Sequence, residues 1–378
     1  MRIGVIGHGI SIERENLDQS TEDLVFVTVK KALRETGLTI EEIDTIVQAG
    51  DDIMDGIAIN HVYTVEPAGS FLKDESKVER DGAWAVHYAM ARLLSGKFRT
   101  AMVVAFSKAS QCTYSAFSGM SADPFYLRPV GADGDSIAAL QANYFMQRTG
   151  ATEADLAQVA RKNRANGSAN QSRTMEGETK DFSIDEILKS ARIATPITRL
   201  TAAYPGDGCV VMILATEEYV KEKKRNAAWI TGVGLSGDAY YPTYRNLSEL
   251  KHVGLAANKA LEMSGRKIGD VNIFELQENY AHQELMLCEA LGIAPAGSPQ
   301  KALNDGAFDR SSGKPVNASG GALSGGIIYA SGLARLMEAS LQVTGQAGPS
   351  QVPGAKTALV SAQAGLGIQS SIIYVVEG

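Results

Sequence analysis

Cysteine is scarce in this 378-residue chain, with three in all: Cys112, Cys209 and Cys288. An odd number of widely spaced thiols excludes a disulfide framework and a Cys-x-x-Cys metal site, and a reducing cytoplasm is the expected setting. Long apolar runs are also missing. No stretch reaches the roughly 18 residues needed to cross a bilayer, so no membrane partner is expected. The opening MRIGVIGHGI has one arginine and a short strand-like run where a signal peptide would carry an apolar core and a cleavage site. Positive charge is in deficit, 36 Lys and Arg against 43 Asp and Glu for a formal net charge of -7, which argues against a nucleic-acid partner. The basic cluster KEKKR, Lys221 to Arg225, reads as a solvated linker. "DGD" at Asp133 to Asp135 is too short for a calcium loop, and no residue set has the spacing of a zinc site, so no metal and no bound cofactor is expected in this chain.

What is present is ordinary globular composition, 44% hydrophobic and 21% charged, over a length that implies about two domains. The chain also repeats itself. KALRETGLTIEEIDTIVQ, from Lys31, matches KALEMSGRKIGDVNIFELQ, from Lys259, in pattern: a helix end, a glycine (Gly37 or Gly265), a short turn, then an apolar strand. The units lie too far apart for a solenoid and imply one domain-sized duplication. Gly37 and Gly265 read as helix C-caps. A second echo pairs GKFRTAMVVAF (from Gly96) with GAKTALVSAQ (from Gly354), each following a helix read as amphipathic, GAWAVHYAMARLLSG and SGLARLMEASLQVTG. Nearly continuous apolar strands alternating with helices predict a sheet covered on both faces. The boundary is placed after Lys224, giving an N-terminal half over 1–224 and a C-terminal half over 225–378.

With GDGCVVMILATEE closing the first half, FELQENYAHQELMLCEALG in the second, then VNASGGALSGG and a glycine-rich SAQAGLGIQSS, the chain resembles the thiolase superfamily along its whole length. It is most similar to the branch holding the thiolase domain of sterol carrier proteins and the lipid-transfer-like proteins. The resemblance implies an α/β thiolase-like fold: duplicated βαβ-rich halves, with dimerisation and a loop insertion in the first, forming a layered αβαβα core.

The departures from that family decide the chemistry. Where active thiolases place a nucleophilic cysteine at a helix start, VERDGAWA has Gly82. The Glu-Leu-His-Asp motif reads ELQEN, with Gln277 for the histidine, and the Gly-His-Pro loop has become GGIIYASG, with Tyr329 beside the gap. No second cysteine stands in SAQAGLG. None of the five histidines (His8, His61, His87, His252, His282) falls on a catalytic motif. Acyl transfer needs an activated nucleophile and its base, so thiolase activity is not expected.

Two readings follow. In the first, the glycines Gly320, Gly321, Gly325, Gly326, Gly365 and Gly367 still admit a ligand, because glycine is poor filler in a packed element. The chain then resembles the superfamily's steroid side-chain-cleaving acyl-CoA aldolases, and Tyr280 and Tyr329, one on each motif short of a histidine, do the acid/base work of a retro-aldol cleavage. One takes the hydroxyl proton and the other protonates the enolate carbon, in either order. Gln277, Asn279 and the backbone around Gly365 to Gly367 hold the thioester oxygen. In the second reading the chain is a non-catalytic subunit of a thiolase or acyltransferase complex. Asp81 reads as an N-cap, Cys112 as part of a loop facing substrate or a dimer partner, and Tyr240, Tyr241 and Tyr244 as an aromatic loop at a pocket or on the surface. From the resemblance come the partners: a coenzyme A thioester as substrate, a homodimer, and a small OB-fold and zinc-ribbon protein completing a heterotetramer, with any zinc in that partner.

Overall fold

The computed structural model describes residues 2–378. Its local punctuation is that of the repeat. Helix Thr21–Thr36 ends on Gly37 at φ 63° and helix Lys251–Ser264 on Gly265 at φ 68°, the left-handed conformation that a side chain resists. A single turn follows each, Ile40–Glu42 or Ile268–Asp270, and then a buried strand. In the second echo, Gly96 and Gly354 take φ of 78° and 75° before the next strands.

The strands are β1 (Ile3–Glu13), β2 (Thr45–Ala49), β3 (Asp74–Val78), β4 (Thr100–Lys108), the small pair β5 (Arg192–Ala194) and β6 (Ile197–Thr198), β7 (Pro205–Thr216), β8 (Ala228–Gly237), β9 (Ile273–Leu276), β10 (Gly326–Ile327), β11 (Thr357–Ala364) and β12 (Ser370–Glu377). The main order is β3-β2-β4-β7-β1-β8-β12-β11-β9, with β10 beside β7. Strands β2 and β4 are parallel and β4, β7 and β1 antiparallel; likewise β9 and β11 are parallel and β11, β12 and β8 antiparallel. The order mirrors about the β1–β8 contact, where register pairs run from Ile3↔Ile230 to Val5↔Ala228.

Helices Gly82–Leu94 and Ser331–Val343 form the central layer, packed on inward-facing residues of both strand sets such as Val103, Val210, Val360 and Ile372. Helix Thr21–Thr36 covers one outer face, and helices Lys251–Ser264 and Ala281–Ala290 the other. The layers are therefore the expected αβαβα. One expectation is corrected: helix Ser331–Val343 is not amphipathic in use, since all 13 of its residues are buried. Its polar side chains are answered internally, as burial demands. Arg335 Nη1 donates to Glu275 Oε2 at 3.0 Å, Glu338 accepts from Asn170 Nδ2 and Arg173 Nε at 3.0 and 2.8 Å, and Gln342 Nε2 donates to Ser350 O at 2.8 Å. Arg225 likewise departs from the solvated-linker reading, because its Nη1 donates to Thr36 O at 2.6 Å and closes the C-terminus of helix Thr21–Thr36.

The N-termini of the two central helices abut around Asp81. Its Oδ1 accepts from Ala83 N at 2.8 Å and Leu333 N at 3.1 Å, and its Oδ2 from Gly332 N at 2.9 Å, so the N-cap read from sequence serves a second helix as well. Burial, working against those three donors, pushes this carboxyl up to about 6. Close approach requires glycine beside it. A Cβ on Gly82 would lie 2.7 Å from Ala105 Cβ and 2.9 Å from Leu333 Cβ. Because neither contact is a flexible chain end, Gly82→Ala is expected to destabilise the fold by about 1–3 kcal/mol through overpacking, measured by urea unfolding. Wild-type stability in that variant would show the helices free to part.

Candidate active site

The candidate side chains sit in loops just past the C-terminal ends of the parallel strands, where open α/β sheets offer their crevices. Strand β2 leads to Asp51, β4 to Tyr114 and Phe117, β9 to Gln277 and Tyr280, and β10 to Tyr329. Tyr329 has φ 62°, an outlying conformation for an aromatic residue that costs about 1–3 kcal/mol and concentrates at functional sites. Its carbonyl accepts from Gly82 N at 2.7 Å, its ring meets Phe117 edge-on at 6.1 Å, and its hydroxyl donates to Asp51 Oδ2 at 2.7 Å. Asp51 also caps a short helix, its Oδ1 accepting from Ile53 N at 2.8 Å and Met54 N at 3.1 Å.

Tyr280 stands at the N-cap of helix Ala281–Ala290. Its hydroxyl donates to Asp135 Oδ1 at 2.7 Å, near the start of helix Gly134–Thr149. The two tyrosines belong to separate apolar clusters, Tyr280 with Ala138, Ile197 and Ala202, and Tyr329 with Met54, Phe117 and Tyr114. Tyr114 connects them: its phenol interacts with that of Tyr280, and its hydroxyl lies 2.7 Å from where a Cβ on Gly134 would stand. Burial, reinforced by the neighbouring carboxylates, drives Tyr280 and Tyr329 well above the ordinary phenol range, and burial raises Tyr114 to about 12. A free phenolate base is therefore costly here. Burial also raises the Asp135 carboxyl, with the Tyr280 hydrogen bond pulling the other way.

The remaining expected residues are placed as follows. Gln277 Oε1 accepts from Gln363 N at 2.8 Å, which ties β9 to β11 and leaves its amide NH2 as the donor. Asn279 is half-buried, and its carbonyl accepts from Ala203 N at 2.8 Å. Gly365 and Gly367 form the β11–β12 turn at φ 78° and 61°, and Gly367 O accepts from Gln141 Nε2 at 2.9 Å. Gly82 faces the core. The ligand-approach reading of four glycines is corrected: the atoms that approach Gly320, Gly321, Gly325 and Gly326 are the protein's own, those of Gly167, Glu278, Ile12 and Tyr204. Glu278 fills the loop, accepting from Asn163 Nδ2 and Asn317 Nδ2 and from the Ala322 and Leu323 amides. Burial and the nearby Glu284 carboxylate push Glu278 up to about 8.

Asp51, Asp135 and Tyr114 are the residues that sequence reasoning missed. Asp51, directly after an apolar strand, carried a readable signal as a helix cap; the pairing of either carboxylate with a tyrosine distant in sequence carried none. Cys112 packs on the Tyr329 cluster, and burial raises its thiol. Tyr241 donates to Asp123 Oδ2 at 3.0 Å and stacks edge-on with Tyr126, Tyr240 and Tyr244, the last of them 79% exposed, so this aromatic loop lies on the surface. A cavity of about 450 Å³ lined by His8, Glu35, Thr36 and Lys223 to Ala228 contains neither tyrosine.

Against known proteins, residues 240–376 match the thiolase C-terminal domain-like family. Sterol carrier protein 2 of Rattus norvegicus is 33% identical over 249 residues, 64% of this chain and 43% of that protein, so the chain spans less than half the length of this relative. Benzoylsuccinyl-CoA thiolase subunit BbsB of Thauera aromatica is 31% identical over 210 residues, covering 55% of this chain and 54% of that one. In fold, the chain superposes on the Ltp2-ChsH2(DUF35) aldolase with TM-score 0.84 and 19% identity, over 100% of this chain and 98% of the other. The mirrored αβαβα layers match a thiolase-like fold, and in sequence the chain is similar to the thiolase C-terminal domain-like family and to sterol carrier protein 2.

Proposed function

We propose that the chain is a carbon–carbon lyase that cleaves a β-hydroxyacyl-CoA thioester of the steroid side-chain type by retro-aldol chemistry. The observation that carries this reading lies at Gly82. The place of a thiolase nucleophile is taken up by Ala105 and Leu333, while both motifs short of a histidine supply a phenol bonded to a carboxylate. Acyl transfer fails without a nucleophile. Retro-aldol cleavage needs only a proton acceptor, a proton donor and a cradle for the enolate. In this reading Tyr280 and Tyr329 move the protons, and the Gln277 amide, Asn279 and the Gly365 to Gly367 turn hold the thioester oxygen. The fold neighbour named as an aldolase supports it. A non-catalytic subunit is the second reading, favoured by the burial of Tyr280, which is 5% exposed.

The same reading includes assembly. That neighbour joins Ltp2 to a second component, and BbsB is named a subunit, which supports a second subunit; in this reading it is a small OB-fold and zinc-ribbon protein in a heterotetramer. In this reading any zinc belongs to that partner. Strand β3 forms the outer edge of the sheet, and Phe71 and Leu72 beside it are 67% and 90% exposed, which supports a homodimer built on that edge.

The complex with its partner is expected to release ketone and shortened acyl-CoA from a 17-hydroxy steroid 22-oyl-CoA. Tyr280→Phe and Tyr329→Phe should each lose about 100-fold or more in kcat with thioester binding intact. No cleavage of steroid, aromatic or short hydroxyacyl-CoA thioesters would instead favour the non-catalytic subunit. For the dimer, sedimentation should find Phe71→Asp monomeric and the wild type dimeric; a monomeric wild type would exclude the edge contact.

A further inference from the structure

The two tyrosine–aspartate pairs look alike, yet their carboxylates are differently committed. Asp51 receives three hydrogen bonds, from the Tyr329 hydroxyl and from two backbone amides of the helix it caps. Two of these bind Oδ1 and the third binds Oδ2, so both of its oxygens are engaged. Asp135 receives one, from Tyr280, and its second oxygen has no hydrogen-bond donor among the described residues. It faces the phenols of Tyr280 and Tyr114 and, from its own helix start, the Asp133 carboxylate. His282, whose ring centroid is 6.0 Å from that of Tyr280, is pushed by burial down to about 3 and stays neutral. One carboxylate thus has both oxygens committed and the other has one.

We infer that Asp135 is the proton acceptor of the site, reached through the Tyr280 hydroxyl, whereas Asp51 fixes Tyr329 as the proton donor. The inference rests on the lyase reading and orders its two tyrosines. The substrate hydroxyl gives its proton to the Tyr280 oxygen as the Tyr280 proton passes to Asp135 Oδ1, so no free phenolate forms. The Cα–Cβ bond breaks, its electron pair becomes the thioester enolate, and the hydroxyl carbon leaves as a carbonyl. The enolate carbon takes the Tyr329 proton as a solvent water gives one to the Tyr329 oxygen, so no phenolate forms beside Asp51. Asp135 then returns its proton through Tyr280 to the hydroxide left behind, so the site ends as it began.

Infrared difference spectroscopy of the protein in its complex tests the pairing without turnover. A carboxylic acid C=O band should titrate above the ordinary aspartate range, be absent in Asp135→Asn, persist in Asp51→Asn, and move to higher pH in Tyr280→Phe, which loses a donor to the carboxylate. In turnover, Asp135→Asn should lose about 100-fold in kcat and the acidic limb of its pH profile, with Kd for the hydroxyacyl-CoA within about threefold. A band indifferent to Tyr280→Phe, or an Asp135→Asn variant that keeps the acidic limb, would overturn the inference while leaving the lyase reading in place. If no hydroxyacyl-CoA is cleaved the lyase reading falls, and with it the assigned role of Asp135; the band would then report only a coupled buried pair.

Discussion

The structure depends on one carboxylate between two helix starts. Asp81 accepts from Ala83 N of one central helix and from Gly332 N and Leu333 N of the other, and so ties the two halves of the chain at the point where they approach most closely. Converging helix N-termini are a ready anion site, and here the protein's own side chain takes it. A substrate oxyanion or a thiolate has no place there, and Gly82, pressed on Ala105 and Leu333, has no room for a side chain to offer one. The absence of a cysteine from this helix start is therefore matched by packing that leaves no room for one.

The same closure extends into the loops. Tyr329 O receives the Gly82 amide, so the strained loop at φ 62° is locked to the same helix start, and the strain is held by a hydrogen bond on the backbone and another on the hydroxyl. Glu278 fills the neighbouring glycine loop and accepts from its Ala322 and Leu323 amides. Closed in these directions, the region leaves the C-terminal ends of β2, β4 and β9 as the place where titratable side chains collect. Buried phenols there make poor bases alone and useful conduits when paired with a carboxylate.

Much of the fold was legible because it is written locally. Gly37 and Gly265 end helices with the conformation their neighbours demand, and the strands between helices are apolar enough to be covered twice. The burial of helix Ser331–Val343 was not legible, since Arg335 and Glu338 look like an exposed face until Glu275, Asn170 and Arg173 are brought to them from distant segments. The site divides in the same way. Tyr280 and Tyr329 could be marked from their motifs, but Asp135 looked like part of a short acidic run and Asp51 like a loop residue, because a pairing across the fold leaves no periodic trace. The glycines misled, since close approach was inferred correctly and its occupant, the protein itself, was not.

The central claim is that carbon–carbon cleavage runs here with no covalent acyl-enzyme. Intact-mass spectrometry of the complex during turnover of a β-hydroxyacyl-CoA, with products followed in the same samples, tests it most directly. The account predicts ketone and shortened acyl-CoA accumulating while both subunits keep their unmodified masses. An acyl adduct on either chain, or intact thioester throughout, would contradict it.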